Sequence, residues 1–172
     1  MSEIMSNNVA YVIKTISEIR KEDPGKKVLQ KMVFLIEQKG VNLGYEYGLH
    51  FYGPYSADLD HDAACLASEG IIEIDYSSGY SHKMSVLPEY AVESDLPNEN
   101  REMLKDVVRH FCDRSPCQLE LLTTALYAYY HLKDKSRESV INGVKKIKGA
   151  KYTEQQIEAM IEEEFGYFDI AI

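Results

Sequence analysis

The stretch that decides the fold is LHFYGPYSADLDHDAACLASEG, residues 49–70. The alternating, β-prone residues of segment 45–51 predict a short strand. Gly53 and Pro54 predict a corner, since glycine permits unusual backbone angles and proline fixes its own φ. Ser56 is a good helix N-cap. The stretch therefore predicts a strand, a tight corner and then a helix.

The elements on either side extend this pattern into a recognisable order. Apolar residues recur at helical spacing over residues 9–19, and those of KKVLQKMVFLIEQKG, residues 26–40, point almost all the way round. We therefore expect two helices, with the second central and buried. After the quoted stretch, IIEIDY and SHKMSVL predict a β-hairpin with its turn at residues 77–79. Helix, helix, strand, helix and a two-stranded wing is the order of a winged helix.

The second half of the chain predicts helices alone. Ser115-Pro116-Cys117-Gln118 and Thr153-x-x-Gln156 both match the capping box that starts a helix. We predict an α+β, mostly α fold. Residues 1–96 form a winged-helix-like part with a short β-hairpin wing, and residues 97–172 form a C-terminal helical lobe. The two parts are expected to share one core in a single domain.

Composition sets the broad class. The chain has 172 residues, 45% of them hydrophobic, and a net charge of −9. An odd number of cysteines, three, favours reduced thiols over a disulfide framework. The sequence has neither a signal-peptide pattern at its start nor an apolar stretch long enough to span a membrane. We expect a cytoplasmic protein with no membrane partner.

Charge and tyrosines single out one segment for binding. Between Lys39 and Lys83 there is no lysine or arginine, and there are seven acids. Six of the 13 tyrosines also lie there, and tyrosine is enriched at interface hot spots. We predict that this segment binds a protein partner, with a basic toxin as one candidate. The predicted partner-binding residues are Tyr45, Tyr47, Tyr52, Tyr55, Asp58, His61, Asp62 and Tyr80.

Two clusters suggest metal sites without completing one. Residues 58–62, DLDHD, place Asp58 and Asp62 on one helix face with His61 near them, but a fourth converging ligand is not visible. Residues 110–117 contain one histidine and two cysteines, without paired ligand spacing. No phosphate-binding loop, nucleophile elbow or zinc-protease motif appears. We expect no metal, no cofactor and no catalytic residue.

The densest basic cluster comprises Lys145, Lys146, Lys148 and Lys151. It could contact nucleic acid or an acidic partner. Cations are also favoured at the C-terminal end of a helix, and a solvated helix face is the preferred interpretation.

Two short segments resemble a known family. Residues 27–34, KVLQKMVF, and residues 51–56, FYGPYS, are similar to the SocA-like or Panacea antitoxin domains and to the related YwgA-like proteins of unknown function. Segment 115–126 is similar to a later helix of that family. The resemblance implies a prokaryotic or phage protein that acts by binding another protein and has no active site.

We therefore expect a non-enzymatic protein-binding module, antitoxin-like or adaptor-like. The alternative is a winged-helix DNA-binding transcriptional regulator. DNA binding needs lysine and arginine at phosphates, and the helix that follows Ser56 offers only acids, so a nucleic-acid partner is not expected. A homodimer is left open.

Overall fold

The computed structural model describes residues 2–77, 79 and 81–172, with side chains from Asn8 onward. The described chain is mostly helical with two small antiparallel sheets, which confirms the α+β, mostly α class. In order, the elements are α1 (Ser2–Arg20), α2 (Lys26–Gln38), β1 (Gly48–His50), β2 (Gly53–Tyr55), α3 (Ala57–Ser68), β3 (Ile72–Asp75), β4 (Lys83–Val86), α4 (Asn98–Phe111), α5 (Pro116–His131), α6 (Arg137–Lys148) and α7 (Glu154–Glu164), followed by a 3₁₀ turn, Phe165–Phe168.

The predicted corner at Gly53 and Pro54 is instead the start of a strand. β1 and β2 pair antiparallel, with Leu49 opposite Pro54 and His50 opposite Gly53. The chain therefore reverses over the two residues between the strands, and the predicted strand over residues 45–51 shrinks to three residues. Proline lacks the N–H group that bonds to a neighbouring strand. Pro54 is tolerated in β2 because this strand has a neighbour on one side only.

The predicted wing forms, but the two sheets remain separate. β3 and β4 pair antiparallel from Ile72 with Val86 to Asp75 with Lys83. Their connection spans residues 76–82, and Ser78 of the predicted turn lies outside the described residues. The order of elements is that of a winged helix, yet β1 pairs with β2 and not with the wing. The winged-helix assignment therefore stays an interpretation.

A single hydrophobic core runs through both parts of the chain. α2 lies at its centre and packs against α3, α4 and α5, which agrees with its nearly continuous apolar surface. Met32, Leu35 and Ile36 of α2 are fully buried, and so are Leu122 and Leu126 of α5. The core places α2 and α5 side by side, and the β1–β2 hairpin lies against both helices.

Local helix starts follow the sequence closely. Ser56 caps α3 by accepting a hydrogen bond from the Leu59 N–H, as predicted. Both predicted capping boxes form, at Ser115 and at Thr153. Across the described residues no helix is long and apolar enough to cross a membrane. In the same part of the chain, no three His, Cys, Asp or Glu side chains converge as metal ligands would.

Candidate binding site at the hairpin tip

The turn between β1 and β2 presents apolar side chains to solvent. Phe51 is 88% exposed and Tyr52 is 61% exposed, while Leu49 on β1 is 43% exposed. Single exposed apolar residues are common on protein surfaces, but adjacent large ones mark interaction sites. We call Leu49, His50, Phe51 and Tyr52 the hairpin tip.

Side chains of α2 hold the base of this hairpin. Lys31 is only 2% exposed, and its ammonium group donates a hydrogen bond of 2.6 Å to the carbonyl oxygen of Pro54. The Gln30 amide both donates to the Ser56 carbonyl and accepts from the Ser56 N–H, each at 2.9 Å. These bonds satisfy backbone groups along the outer edge of β2 and fix the strand to the core.

Gly53 allows α5 to approach the hairpin closely. Its φ is +90°, a conformation that glycine adopts readily and other residues adopt at a cost. A Cβ atom at this position would lie 2.7 Å from Thr124 Oγ1 on α5. Position 53 therefore requires glycine for its backbone angle and for the space beside Thr124.

A buried carboxylate organises the lysines beneath the tip. Glu120 on α5 is fully buried, and its carboxylate accepts bonds from Lys27 at 2.5 Å, Lys148 at 2.6 Å and Lys151 at 2.8 Å. Burial alone raises the pKa of Glu120. The hydrogen bonds from Lys148, Lys151 and Lys27 outweigh that effect and lower the pKa to about 2. Glu120 is therefore an anion at neutral pH.

The same lysines hold the tip itself. Lys148 donates a second hydrogen bond, of 2.7 Å, to the carbonyl oxygen of Phe51. The ammonium groups of Lys27 and Lys151 lie 4.9 and 5.8 Å from the centre of the Tyr52 ring, within cation–π range. The backbone of the tip is thus anchored while the Phe51 ring projects into solvent.

Lys31 differs from these lysines because none of the carboxylates that the structure describes bonds to it, and its ammonium group bonds to a backbone carbonyl oxygen instead. Burial lowers the pKa of Lys31 to about 7. The negative charge of Glu120 opposes this shift, and the positive charges of Lys148 and Lys27 add to it. At neutral pH Lys31 is therefore divided between its charged and neutral forms.

A cleft of about 590 Å³ opens beside the tip, between the start of α2 and the start of β4. Val28, Tyr55 and Pro116 contribute apolar surface to its wall. Its charged lining residues are Lys26, Lys27, Lys31, Lys83 and Asp60, and His50 and His82 also line it. The lining of the cleft thus contains more lysines than carboxylates.

Three of the predicted partner-binding residues make contacts inside the molecule that stabilise the fold. Tyr45 and Asp62 are buried, and the Tyr45 hydroxyl donates a 2.6 Å hydrogen bond to the Asp62 carboxylate. The Tyr47 ring packs edge-on against Phe34, with ring centres 5.1 Å apart. Their contacts lie inside the molecule, so we leave them out of the candidate surface.

The other predicted residues are divided between two places. Tyr52 is at the hairpin tip, and Tyr55, half-buried, lines the cleft and donates a hydrogen bond of 3.0 Å to Asp60. Asp58 and His61 are exposed on α3. Tyr80 lies outside the described residues. The structure therefore brings Tyr52 and Tyr55 together at one cleft.

Sequence reasoning missed the lysines that surround the tip. The segment between Lys39 and Lys83 lacks basic residues along the chain, but lysines from α2 and from the end of α6 approach it in space. The preference for a solvated face was wrong for Lys148, whose side chain is 4% exposed. One available signal was Glu120, a single charge in the apolar run LELL.

Comparison with known proteins gives one informative similarity. No family model matches the chain. The chain is 26% identical, over 141 residues, to the uncharacterized protein YwgA of Bacillus subtilis (strain 168). The match covers 80% of this chain and 83% of that protein. The similarity supports the YwgA-like part of the resemblance, which concerns proteins of unknown function.

Proposed function

We propose that this protein is a non-enzymatic protein-binding module, antitoxin-like or adaptor-like, and that the hairpin tip meets its partner. The observation that carries the proposal is the exposure of Phe51 on a turn that is held in place. Removing a phenylalanine side chain from water is worth about 1.5–3 kcal/mol. Because Lys148 and Lys31 already fix the hairpin backbone, little ordering entropy would be lost on binding.

The chemistry of the tip is that of an interface anchor. Hot spots are rich in aromatic side chains, and less important contacts around them exclude water. Phe51 and Tyr52 supply two adjacent rings, and Lys27 and Lys151 flank the second ring. This combination suits recognition of a protein surface better than conversion of a small molecule.

The antitoxin-like part of the proposal rests on resemblance. Segments 27–34 and 51–56, which carry the resemblance, are the two that meet at this site, where Lys31 bonds to Pro54 and Gln30 bonds to Ser56. Functional transfer from a family is an argument by analogy. The contacts add a physical reason to treat the two segments as parts of one site.

A basic partner, such as a small toxin, remains the prediction for the acidic face of α3. Asp58 on α3 and Glu69, the residue after α3, are exposed, and α3 contains no lysine or arginine. Lysines around the hairpin tip give its surroundings the opposite charge. The two surfaces therefore predict partners of different charge, and we place the tip first because it also offers apolar area.

The rival function is DNA binding by a winged-helix regulator. In that interpretation α3 would enter a groove, and Asp58 would face phosphates, which repel it. Fluorescence anisotropy with random duplex DNA at about 50 mM salt checks this rival. We expect no binding. A dissociation constant below about 1 μM would favour the regulator.

Site-specific photo-crosslinking tests the proposal directly. A photoreactive phenylalanine analogue replaces Phe51 in cells of the native host, and the same analogue replaces exposed Glu158 on α7 as the control. We expect one protein to be crosslinked from position 51 and not from position 158. Crosslinking that is absent at 51, or equal at both positions, would contradict the proposal.

A further inference from the structure

The neighbourhood of the hairpin tip has a local excess of positive charge in an acidic protein. The chain as a whole has a net charge of −9. Lysines that line the cleft or contact the tip are Lys26, Lys27, Lys31, Lys83, Lys148 and Lys151. The carboxylates bonded to these lysines are Glu22, Asp60 and Glu120. Among the described residues, five of the six lysines share these three carboxylates, and Lys31 instead bonds to the Pro54 carbonyl oxygen.

Two of these lysines are available at the rim of the cleft. Lys26 lies 3.3 Å from the Asp60 carboxylate, and Lys83 lies 2.6 Å from that of Glu22. Both pairs are partly exposed, and exposed pairs contribute little stability. A carboxylate brought by a partner can therefore compete for Lys26 and Lys83 at small cost.

The start of α2 adds backbone donors to the same wall. Gly25, the N-cap residue, has no side chain with which to cap the helix, and the first turn contains no acidic residue. The first N–H groups of a helix have no acceptor within the helix and favour negative charge. Because residues 25–28 all line the cleft, these N–H groups add to the positive potential that the lysines create there.

The cleft also has room for an apolar group. Its volume of about 590 Å³ falls within the range of pockets that bind a few side chains or a small molecule. Val28, Tyr55 and Pro116 contribute apolar surface to the wall, and Phe51 and Tyr52 also line it. An apolar side chain in the cleft would lie beside more lysines than carboxylates.

We propose that the cleft between the start of α2 and the hairpin tip docks an acidic segment of a partner protein, in which Asp or Glu residues flank an apolar or aromatic side chain. The apolar side chain enters the cleft, and the carboxylates meet Lys26 and Lys83 at its rim. Complementary charge of this kind speeds association and selects among partners. The inference rests on the proposed function and narrows its partner to one with an acidic docking segment.

Three matched peptides test this charge preference. The probes are acetyl-Asp-Glu-Phe-Glu-Asp-amide, its Asn/Gln counterpart and a counterpart with lysine at every charged position. Each is titrated into the full ¹⁵N-labelled chain to about 5 mM, at low salt. We expect the acidic peptide to shift the amide signals of residues 25–28, 50 and 82. The neutral peptide should bind about tenfold more weakly, and the basic peptide not at all.

Substitutions at the rim separate docking from a general effect of charge. Lys26→Gln combined with Lys83→Gln removes two partly exposed lysines from the cleft. Lys105→Gln removes a lysine of similar exposure that pairs with Glu102 on α4. We expect the double variant to bind the acidic peptide about tenfold more weakly and the Lys105 variant to bind as the wild type does.

Several outcomes would overturn the inference. These are equal binding of the acidic and neutral peptides, no binding of the acidic peptide, shifts that map away from the cleft, and displacement of the peptide by equimolar inorganic phosphate or by duplex DNA. If photo-crosslinking at position 51 still identifies a partner, the proposed function stands without this inference. If no crosslink forms, the proposed function itself has failed.

Discussion

Lys148 donates a hydrogen bond of 2.7 Å to the carbonyl oxygen of Phe51, a residue 97 positions earlier in the chain. The same ammonium group lies 2.6 Å from the Glu120 carboxylate. One buried cation therefore joins the end of α6, the start of α5 and the turn of the β1–β2 hairpin. The exposure of the Phe51 ring is a consequence of that anchorage, because its backbone cannot withdraw without breaking the bond.

Replacing Gly53 by alanine tests the close packing of the hairpin on α5. The new Cβ would meet Thr124 Oγ1 at 2.7 Å, and the φ of +90° would be strained. We expect a loss of about 2–4 kcal/mol in the free energy of unfolding, measured in urea.

Two glycines provide controls for this experiment. Gly40 has a φ of +97° and open space, so Gly40→Ala reports backbone strain alone, about 1–2 kcal/mol. Gly48 lies in β1 of the same hairpin, also with open space, and its replacement should change stability by less than about 0.5 kcal/mol. If Gly53→Ala costs no more than Gly40→Ala, the approach to Thr124 is not as close as described.

Glu120 should make the fold sensitive to acid. Its pKa in the folded chain is about 2, against an ordinary value of 4.5. A depressed folded pKa contributes stability that is complete above the ordinary value and is lost as the pH falls from about 4.5 to about 2. The loss amounts to at most about 3 kcal/mol.

The carboxyl ¹³C chemical shift of Glu120 measures this directly, since it should not titrate above about pH 3. Glu120→Gln should lack the corresponding loss of stability in acid. A normal titration midpoint near 4.5 would show that the three lysines do not hold the carboxylate as described.

Lys31 predicts a second increase of stability with pH, in a higher pH range than that of Glu120. Its pKa is about 7 in the folded chain and 10.5 ordinarily, so between these values the unfolded chain binds the proton more strongly. Raising the pH through this window therefore stabilises the fold. The stability of the wild type relative to Lys31→Met should rise by about 2 kcal/mol between about pH 7 and pH 9. A difference that is flat or falls with pH would contradict the burial of an ionisable amine there.

Phe51 should matter little for folding. Because its ring is 88% exposed, Phe51→Ala should change the free energy of unfolding by less than about 0.5 kcal/mol. Phe34, a buried phenylalanine on α2, provides the comparison, and Phe34→Ala should cost about 3–5 kcal/mol. Comparable losses in the two variants would mean that the Phe51 ring packs against the protein.

Local chemistry explains why much of the fold was predictable. Ser56, Ser115 and Thr153 start their helices through side-chain bonds to residues three positions later, so each signal lies within a few letters. The apolar surface of α2 likewise indicated a central helix. The prediction of a corner at Gly53 and Pro54 was wrong because these residue types suit both a turn and a short edge strand. Pairing with β1 decides between the two.

The candidate site was harder to predict because its charges come from distant positions. Glu120 meets Lys27, Lys148 and Lys151, which belong to different helices or to the loop after α6. The spacing of residues along the chain does not indicate contacts between such distant positions. Tyrosine is also ambiguous, since it suits both core and interface: Tyr45 is buried against Asp62, while Tyr52 lies at the tip.

The most direct test of the central claim is the affinity of the crosslinked partner for three purified chains, measured by calorimetry. These are the wild type, Phe51→Ala and Tyr130→Ala, the last removing an exposed tyrosine from α5. We predict that Phe51→Ala weakens binding by about 30-fold or more, as loss of a hot spot does, with unfolding unchanged. Tyr130→Ala should stay within about threefold of the wild type. Wild-type affinity for the Phe51→Ala chain would contradict the claim that the hairpin tip is the binding surface.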